Sequence, residues 1–336
     1  MTKLLPAALV AAMAWAGAAP LATARGAEIK PAILFDMGGK FDKSFNEGVY
    51  NGAMKFTKET GIKVHDFEVQ NEGQREQGLR NFAKRGNDPV LAIGFAQADG
   101  LTIVSKEYPK INFGIIDMVV DAPNVHSFVF KEQEGSYLAG VLAALASPGG
   151  KIGFIGGMDI PLINRFGCGY VQGAKSVNPK IEVYQNMTGT TPSAWNDPVR
   201  GGELAKSQME RGATVVYAAA GATGLGVYQA VADAGKLAIG VDSDQNYLHP
   251  GHMLTSMVKR VDVATETFFK DAKAGNFKSG VSVLGLKEGG VDVAFDQYNE
   301  KLVTADMKAK VAQARQDILS GKVQVHDFMD DNKCPG

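Results

Sequence analysis

Residues 45–53 of this chain read FNEGVYNGA and residues 166–174 read FGCGYVQGA, so the pattern F-x-x-G-x-x-x-G-A occurs twice. Each copy follows an apolar run that ends in glycines, ILFDMGG from Ile33 and IGFIGGM from Ile152. Each copy also leads into a second β-type run, IKV in the first and IEV in the second. The order strand, loop, helix, strand is therefore duplicated along the chain.

The similarity between the two copies continues beyond this helix. Residues 84–94, KRGNDPVLAIG, resemble residues 210–221, ERGATVVYAAAG, and a later strand ends at Asp117 in the first copy and at Asp242 in the second. Two similar α/β lobes should therefore face one another. Because ligands of such sheets bind beyond the strand ends, we expect a ligand between the lobes to contact Asp117 and Asp242.

Strand-like and helix-like segments alternate through both copies. In the first copy the pattern predicts strands near residues 32–35, 63–67, 89–93, 112–116 and 125–130, with helices over residues 44–59, 73–84, 98–107 and 132–145. In the second copy it predicts strands near residues 152–155, 182–185, 214–218 and 237–241, with helices over residues 162–176, 198–211 and 223–234. This alternation predicts an α/β fold with a mostly parallel sheet flanked by helices in each lobe.

Turn signals indicate where the lobes begin and end. The stretch SPGG at residues 147–150 is the natural first crossing between them. We therefore predict lobe 1 over residues 27–147 and lobe 2 over residues 150–252, with the elements of residues 253–336 divided between both. These last elements have no counterpart in the first copy, and completing both lobes from them requires more than one hinge crossing.

The glycines of the repeated motif lie four residues apart on one helical face, Gly48 with Gly52 and Gly169 with Gly173. Glycine inside a helix costs about 1 kcal/mol relative to alanine, so a packing reason is needed. We predict that the missing side chains let each helix approach its sheet closely.

The bulk composition limits the possible functions. The chain has 336 residues, a length that suits two domains, and a formal net charge of -1. No polybasic run or basic-aromatic stripe occurs, which argues against nucleic acid as a partner. The five histidines show no H-E-x-x-H motif or other convincing metal spacing, and G-x-S-x-G is missing. We therefore predict a protein that is not an enzyme and has no cofactor.

The first residues, MTKLLPAALVAAMAWAGAAPLATARG, have the composition of a secretory signal peptide, with one Lys, an apolar segment and the small-x-small sequence Ala22-Thr23-Ala24. A membrane-anchoring helix is the alternative, but Pro6 and Pro20 interrupt a short apolar span. No cysteine lies near the cleavage point. We expect cleavage after residues 1–24 or shortly downstream, and a periplasmic, secreted protein that is not lipid-anchored.

Cys168 and Cys334 are the only cysteines. In an exported chain an even cysteine count makes a disulfide between them plausible, which would tie the C-terminal tail to the first helix of the second lobe. A buried free Cys168 with a free tail thiol is the alternative. Neither cysteine lies in a reactive-thiol motif.

The loops after the predicted strands are rich in Asp, Asn, Gln, Thr, Gly and aromatic residues, which suits an uncharged, polyhydroxylated molecule with a ring. Asp36 directly follows the first strand, and Asp42 and Phe45 lie around the start of the next helix. We predict ligand contacts for Asp36 and Phe45, although Phe45 would also suit a core. Asp42 is as well explained as a helix cap.

Three residues of the second half are further candidates. Trp195, the one tryptophan outside the leader, lies in the polar loop TTPSAWNDP, where burial explains it poorly, so we predict a ring-stacking platform. Gly221 opens a glycine-rich helix start that lacks the Lys-Ser/Thr pair of a phosphate loop and would equally suit a sugar hydroxyl. Lys259 follows the strand MLTSMV and is expected either to pair with Asp242 or to lie on the surface.

These motifs together closely resemble those of one family. The stretches DMGGKFDKSFNEG from Asp36 and GFIGGMDIPLINRFxxGYxxGA from Gly153, with WNDPVRG, AGATG and GVDSDQ further on, resemble the basic membrane protein family, the PnrA-like nucleoside-binding components of ABC transporters. The resemblance covers nearly the whole chain after the leader. It implies a two-lobe periplasmic-binding-protein fold of the sugar-binding type with several hinge crossings, and a purine nucleoside in the cleft.

The resemblance also implies roles for individual residues. The base would be sandwiched between Phe45 and Trp195, a position that is usually Phe in the family, and not between Phe45 and its repeat equivalent Phe166. The implied ribose contacts are Asp242, Lys259 and Gly221. The implied base-edge contacts are Asp36, Asp42 and Asp117. The implied partner is the membrane permease of an ABC transporter, and we expect a monomer.

Other interpretations stay open at this point. A binding protein for a free sugar or furanose signal would have similar walls. A periplasmic nucleoside hydrolase would need an acid and a water-activating group or metal. A transcription-factor effector domain shares the fold, but a DNA-binding headpiece should then occupy the N-terminus, where a leader lies instead.

Overall fold

The computed structural model describes residues 1–2 and 28–335, so the predicted signal peptide falls outside the described residues except for its first two. Within this described part of the chain, no helix combines the length and the apolar character that crossing a membrane requires.

The first stretch of chain builds most of lobe 1. Its elements are β1 (Ala32–Phe35), α1 (Phe45–Thr60), β2 (His65–Glu68), α2 (Gln74–Lys84), β3 (Val90–Ile93), α3 (Ala98–Glu107), β4 (Phe113–Ile116) and β5 (Val125–Phe130). Strands β1 and β3 are short apolar runs buried at every position, as expected for strands covered by helices on both faces. Each predicted strand of this stretch begins within two residues of its observed start.

The rest of the chain completes both lobes. The second stretch contains α4 (Glu132–Leu145), β6 (Lys151–Met158), α5 (Pro161–Val177), β7 (Glu182–Gly189), α6 (Pro198–Glu210), β8 (Val215–Ala219), α7 (Thr223–Asp233), β9 (Leu237–Asp242) and β10 (Met253–Lys259). The last stretch contains α8 (Val261–Lys273), β11 (Gly280–Leu284), β12 (Val291–Val293), α9 (Ala305–Leu319) and α10 (Phe328–Asp331).

Each lobe contains a six-stranded sheet. The strand order is β2-β1-β3-β4-β5-β11 in lobe 1 and β7-β6-β8-β9-β10-β12 in lobe 2. All neighbouring pairs are parallel except β10 with β12. The predicted α/β architecture with two mostly parallel sheets is confirmed. Because β10 takes the place of β5, the repeat extends beyond residue 252, and the expectation that no later element has a counterpart was wrong.

The first crossing between the lobes lies at Lys131 and not, as predicted, at residues 147–150. Helix α4 follows β5 of lobe 1 but packs on lobe 2, against α5, β10 and β12. Helix α8 makes the reciprocal crossing at Arg260, since it follows β10 of lobe 2 and packs on α1 of lobe 1. The SPGG turn misled the prediction because it is a strong turn signal inside lobe 2, between α4 and β6.

The two helices that pack on the opposite lobe, α4 and α8, explain the repeated glycines. A Cβ atom on Gly52 would lie 2.3 Å from the carbonyl oxygen of Asp262 in α8. A Cβ atom on Gly173 would lie 1.9 Å from the carbonyl oxygen of Tyr137 in α4. In both copies the glycine therefore permits close contact with a helix that arrives from the other lobe. The prediction of a close approach was right, but its partner is a helix and not a sheet.

The three crossing segments are hydrogen-bonded to one another. Lys131 N donates to Leu284 O at 3.1 Å, and Arg260 N donates to Gly290 O at 2.8 Å. Leu286 N, in the third crossing between β11 and β12, donates to the carboxylate of Glu134 at 2.8 Å. Adjacent crossing segments of this kind form a hinge about which two lobes rotate.

Candidate functional site

A cavity lies between the lobes at the carboxyl ends of both sheets. The eight residues selected from the sequence all line it: Asp36, Asp42, Phe45, Asp117, Trp195, Gly221, Asp242 and Lys259. About 670 Å³ between its walls is free of protein atoms, and part of this space is open to solvent.

Asp117 and Asp242 reach the cavity by the same backbone turn. Asp117 follows β4 and Asp242 ends β9, and their φ angles are 73° and 64°. A positive φ is uncommon for a residue with a side chain, and Asp is among the residues that tolerate it best. The repeat thus preserves a turn at each strand end that directs a carboxylate into the cleft.

Lys259, at the end of β10, is 2% exposed and makes two ion pairs. Its Nζ lies 2.7 Å from the Asp117 carboxylate and 2.9 Å from Glu132 Oε1. Both expectations for Lys259, a pair with Asp242 or a position on the surface, were therefore wrong. Burial opposes the charge on Lys259, but the carboxylates of Asp117, Glu132 and Asp242 outweigh it and raise the pKa of the ammonium. Lys259 is therefore charged, and its pair with Asp117 joins the two lobes.

Asp242 is engaged from lobe 1 by Ser44, whose Oγ donates to its carboxylate. Ser243 Oγ donates to Ser44 O at 3.1 Å, and Gln245 Nε2 donates to Lys43 O at 2.8 Å. Burial raises the pKa of Asp242, opposed by Lys259 and by the Ser44 hydroxyl. These bonds fasten the loop before α1 to the loop after β9, so the lobes are closed over one another on this side.

Asp42 has the geometry of a helix cap. Its carboxylate accepts hydrogen bonds from the backbone N–H groups of Ser44, Asn46 and Glu47, at 2.8, 3.0 and 3.0 Å. Both carboxylate oxygens are used in this way at the start of α1. Burial raises the pKa of Asp42 to about 7, while the three N–H groups favour its charged form.

Asp36 offers a freer acceptor. Its Oδ1 accepts from Arg75 Nε at 3.0 Å and from Met37 N at 2.9 Å. Burial raises the pKa of Asp36, and the Arg75 guanidinium opposes this. Among the described residues no hydrogen bond is made to Oδ2, which therefore remains available to a ligand donor.

Aromatic rings come from both lobes. Trp195 ends the short 3-10 helix Pro192–Trp195, and its ring lies on the backbone of β6, where a Cβ atom on Gly157 would be 2.2 Å from Trp195 Cζ3. Phe45 begins α1, and its repeat equivalent Phe166 lines the same cavity. The Lys259 Nζ lies 5.1 Å from the ring centre of Phe45 and 5.6 Å from that of Phe166.

Three polar residues of this site were missed in the sequence. Glu132 is fully buried between Lys259 and Arg165, whose Nη1 lies 2.8 Å from Glu132 Oε2. Asn46 lines the cavity, and its buried Oδ1 has no hydrogen-bond partner among the described residues. A comparison of the two copies of the repeat could have identified two of them, because the copies differ at these positions. Asn46 aligns with glycine and Arg165 aligns with serine in the other copy.

The arrangement suits recognition of a neutral ligand. Carboxylate and amide oxygens accept hydrogen bonds, the Lys259 ammonium donates them, and aromatic faces stack on a planar ring. Within residues 28–335, no group of three or more His, Cys, Asp or Glu side chains is placed to hold a metal ion.

Comparisons with known proteins agree with this geometry. The family described as ABC transporter substrate-binding protein PnrA-like matches residues 29–328. The ABC transporter nucleoside-binding protein BmpA of Lactococcus lactis is 35% identical over 321 residues, covering 89% of each chain. A solved ABC transporter solute-binding protein of Aeropyrum pernix superposes with a TM-score of 0.84 at 29% identity, covering 90% of this chain and 95% of that one.

The comparisons overturn one expectation. An uncharacterized lipoprotein of Pyrococcus horikoshii is 35% identical over 297 residues, covering 85% of this chain and 73% of its own length. Relatives in two further Pyrococcus species are also named lipoproteins. The expectation of a secreted protein that is not lipid-anchored relied on the lack of a leader cysteine, and these lipoprotein relatives contradict it.

Proposed function

Because this chain belongs to the family of PnrA-like substrate-binding proteins of ABC transporters, we propose that it binds a purine nucleoside between its lobes and delivers it to a membrane permease. The observation that carries the proposal is the convergence of eight residues, selected from both copies of the repeat, on one cavity between the lobes. A relative named as nucleoside-binding supports the ligand class.

The proposed ligand pose follows from the chemistry of the walls. The purine ring stacks between Phe45 and Trp195, which come from opposite lobes. The ribose hydroxyls lie near Asp242, Lys259 and the backbone at Gly221. Donors on the base edge face Asp36 Oδ2 and Asn46 Oδ1, two acceptors to which none of the described residues donates a hydrogen bond.

The charge of the walls favours a nucleoside over a nucleotide. Among the residues that the structure describes, four aspartates line the cavity, at positions 36, 42, 117 and 242, against one cation, Lys259. Lys259 is already paired with Asp117 and Glu132. A phosphate dianion would lie among several carboxylates, with Lys259 already shared between two of them, so electrostatic repulsion disfavours it.

Delivery uses closure about the hinge. In the proposed cycle an open form binds the nucleoside on one lobe, and contacts from the other lobe, including those of Ser44 with Asp242, stabilise the closed form. The permease then recognises the closed form, whose two lobes present one continuous surface.

Calorimetric titration with a panel of adenosine, guanosine, inosine, uridine, ribose and inosine monophosphate tests the proposal. We expect purine nucleosides to bind more tightly than uridine, and ribose and the monophosphate to bind weakly. Absence of binding below millimolar by all four nucleosides would sink the nucleoside assignment. Equal binding by ribose would point to a sugar-binding protein.

Two controls sharpen this test. Trp195→Phe keeps an aromatic face and should retain most of the affinity, whereas Trp195→Ala should lose about tenfold or more, since base stacking is worth about 1–3 kcal/mol. Incubation with inosine should return the nucleoside intact. Release of hypoxanthine by the wild type and not by Asp242→Asn would instead identify a hydrolase.

A further inference from the structure

A line of alternating charges runs from the C-terminal tail to the ligand cavity. Asp327 pairs with Arg165 at 2.8 Å, Arg165 with Glu132 at 2.8 Å, Glu132 with Lys259 at 2.9 Å, and Lys259 with Asp117 at 2.7 Å. Asp117 and Lys259 line the cavity, whereas Asp327 lies in the tail, next to α10.

The middle of this line is shielded from water. Glu132 is 0% exposed and Lys259 is 2% exposed, so each charge depends on its protein partners for stabilisation. Glu132 begins α4 just after the first crossing, and Lys259 ends β10 just before the second. Their pair therefore ties the two crossing segments together where they meet the cavity.

Arg165 is held in one orientation by its fork of donors. Its Nη1 donates to Phe130 O and to Glu132, both at 2.8 Å, and its Nε and Nη2 donate to the two carboxylate oxygens of Asp327, both at 2.8 Å. A bidentate pair with a carboxylate fixes the plane of a guanidinium. Removing Asp327 would leave Arg165 held on one side only.

The tail that carries Asp327 is itself fastened to α5. In the structure Cys168 and Cys334 form a disulfide with Cα atoms 5.4 Å apart. Gln172 donates to His326 O at 3.0 Å and accepts from His326 N at 2.9 Å. These contacts keep the tail on the helix that bears Arg165.

We propose that Glu132 and Arg165 are positioning residues for ligand binding, which hold the Lys259 ammonium at the cavity, and that the disulfide-bound tail holds Arg165 through Asp327. The inference rests on the proposed function, because its readout is nucleoside affinity. It adds that the C-terminal tail, through Asp327 and Arg165, contributes to the affinity of the cavity for its ligand.

The test is a double-mutant cycle on the affinity for inosine, measured by Trp195 fluorescence. Glu132→Gln should weaken binding about tenfold, within the range of coupling in one charge network. Asp327→Asn should weaken it about threefold, as for a partly exposed ion pair. In the Glu132→Gln background, Asp327→Asn should cause no further loss. The matched control is Asp330→Asn, the same change in α10 at a side chain that makes no ion pair with Arg165.

Each outcome of the mutant cycle either supports or overturns the inference. Losses that add independently, or a folded Glu132→Gln variant with wild-type affinity, would overturn the inference while leaving nucleoside binding intact. If Glu132→Gln does not fold, Arg165→Lys takes its place in the cycle, and the comparison of Asp327→Asn with Asp330→Asn stands by itself. A wild-type protein that binds no nucleoside would overturn the proposed function and this inference with it.

Discussion

Gly173→Ala tests why the repeated motif contains glycine. Gly173 lies in α5 where α4 crosses over from lobe 1, and an added Cβ atom would be 1.9 Å from Tyr137 O, 2.7 Å from Tyr137 C and 2.9 Å from Tyr137 Cα. Ordinary Cβ contacts begin near 3.4 Å. Because all three atoms are backbone, no rotamer change relieves the clash, and the two helices must separate.

Two opposing effects determine the size of the change. Alanine is a better helix former than glycine by about 1 kcal/mol. Overpacking that shifts backbone costs about 1–3 kcal/mol and sometimes more, and this contact is near the severe end. We expect a net loss of about 2 kcal/mol in the free energy of unfolding, which for a protein with lobes of this size lowers the melting temperature by about 4–8 °C.

Guanidinium unfolding followed by circular dichroism measures the change. The control is Gly202→Ala in α6, where the nearest atom to an added Cβ, Gly226 O, lies at 3.2 Å and the next at 3.7 Å. There the gain in helix propensity and the small overlap should nearly cancel. If Gly173→Ala were as stable as the wild type, or more stable, the explanation of the repeat by crossing helices would be refuted.

Three further predictions concern the tail, the cap and the closed form. Cys334→Ser should lower the free energy of unfolding by about 2–5 kcal/mol, because the disulfide closes a long loop of chain, and an unchanged midpoint in denaturant would contradict this. Burial raises the pKa of Asp42 from 3.8 to about 7 in the folded state, so the stability it contributes is present below about pH 4 and lost as the pH rises to about 7. Asp42→Asn should therefore flatten the pH dependence of the unfolding midpoint over that window. An equally steep profile in the variant would show that Asp42 is not the group responsible. Ser243→Ala removes a hydrogen bond to Ser44 O made between the lobes, so nucleoside affinity should fall about two- to tenfold, in line with about 0.5–1.5 kcal/mol per bond. The melting temperature of the ligand-free protein should not change. An unaltered affinity would show that this bond plays no part in closure.

Much of the site could be predicted because it follows a positional rule. Asp36, Asp117 and Asp242 come directly after or at the end of apolar runs that are recognisable as strands, and parallel strands gather their carboxyl ends at one edge. Local pattern was sufficient for these residues. It was sufficient as well for α3 and α4, whose predicted bounds are confirmed.

Pairing of side chains could not be predicted in this way. Lys259 was expected either to pair with Asp242 or to lie on the surface, but it is buried against Asp117 and Glu132, and Ser44 engages Asp242. Each of these partners comes from a chain segment that crosses between lobes or faces the other lobe. The pairing of carboxylates with cations depends on how the lobes close on one another. No local sequence pattern encodes that closure.

The sequence by itself determined the duplicated α/β architecture and the set of residues around the cleft, because strand periodicity and strand-end position are local properties of the chain. The tertiary structure decided which lobe each helix joins. A helix after a strand can pack on either side of a hinge, and α4 and α8 pack on the opposite lobe, where Gly173 and Gly52 leave room for their backbones. The glycines of the motif were visible from the start, but the helices that require them became visible only in three dimensions.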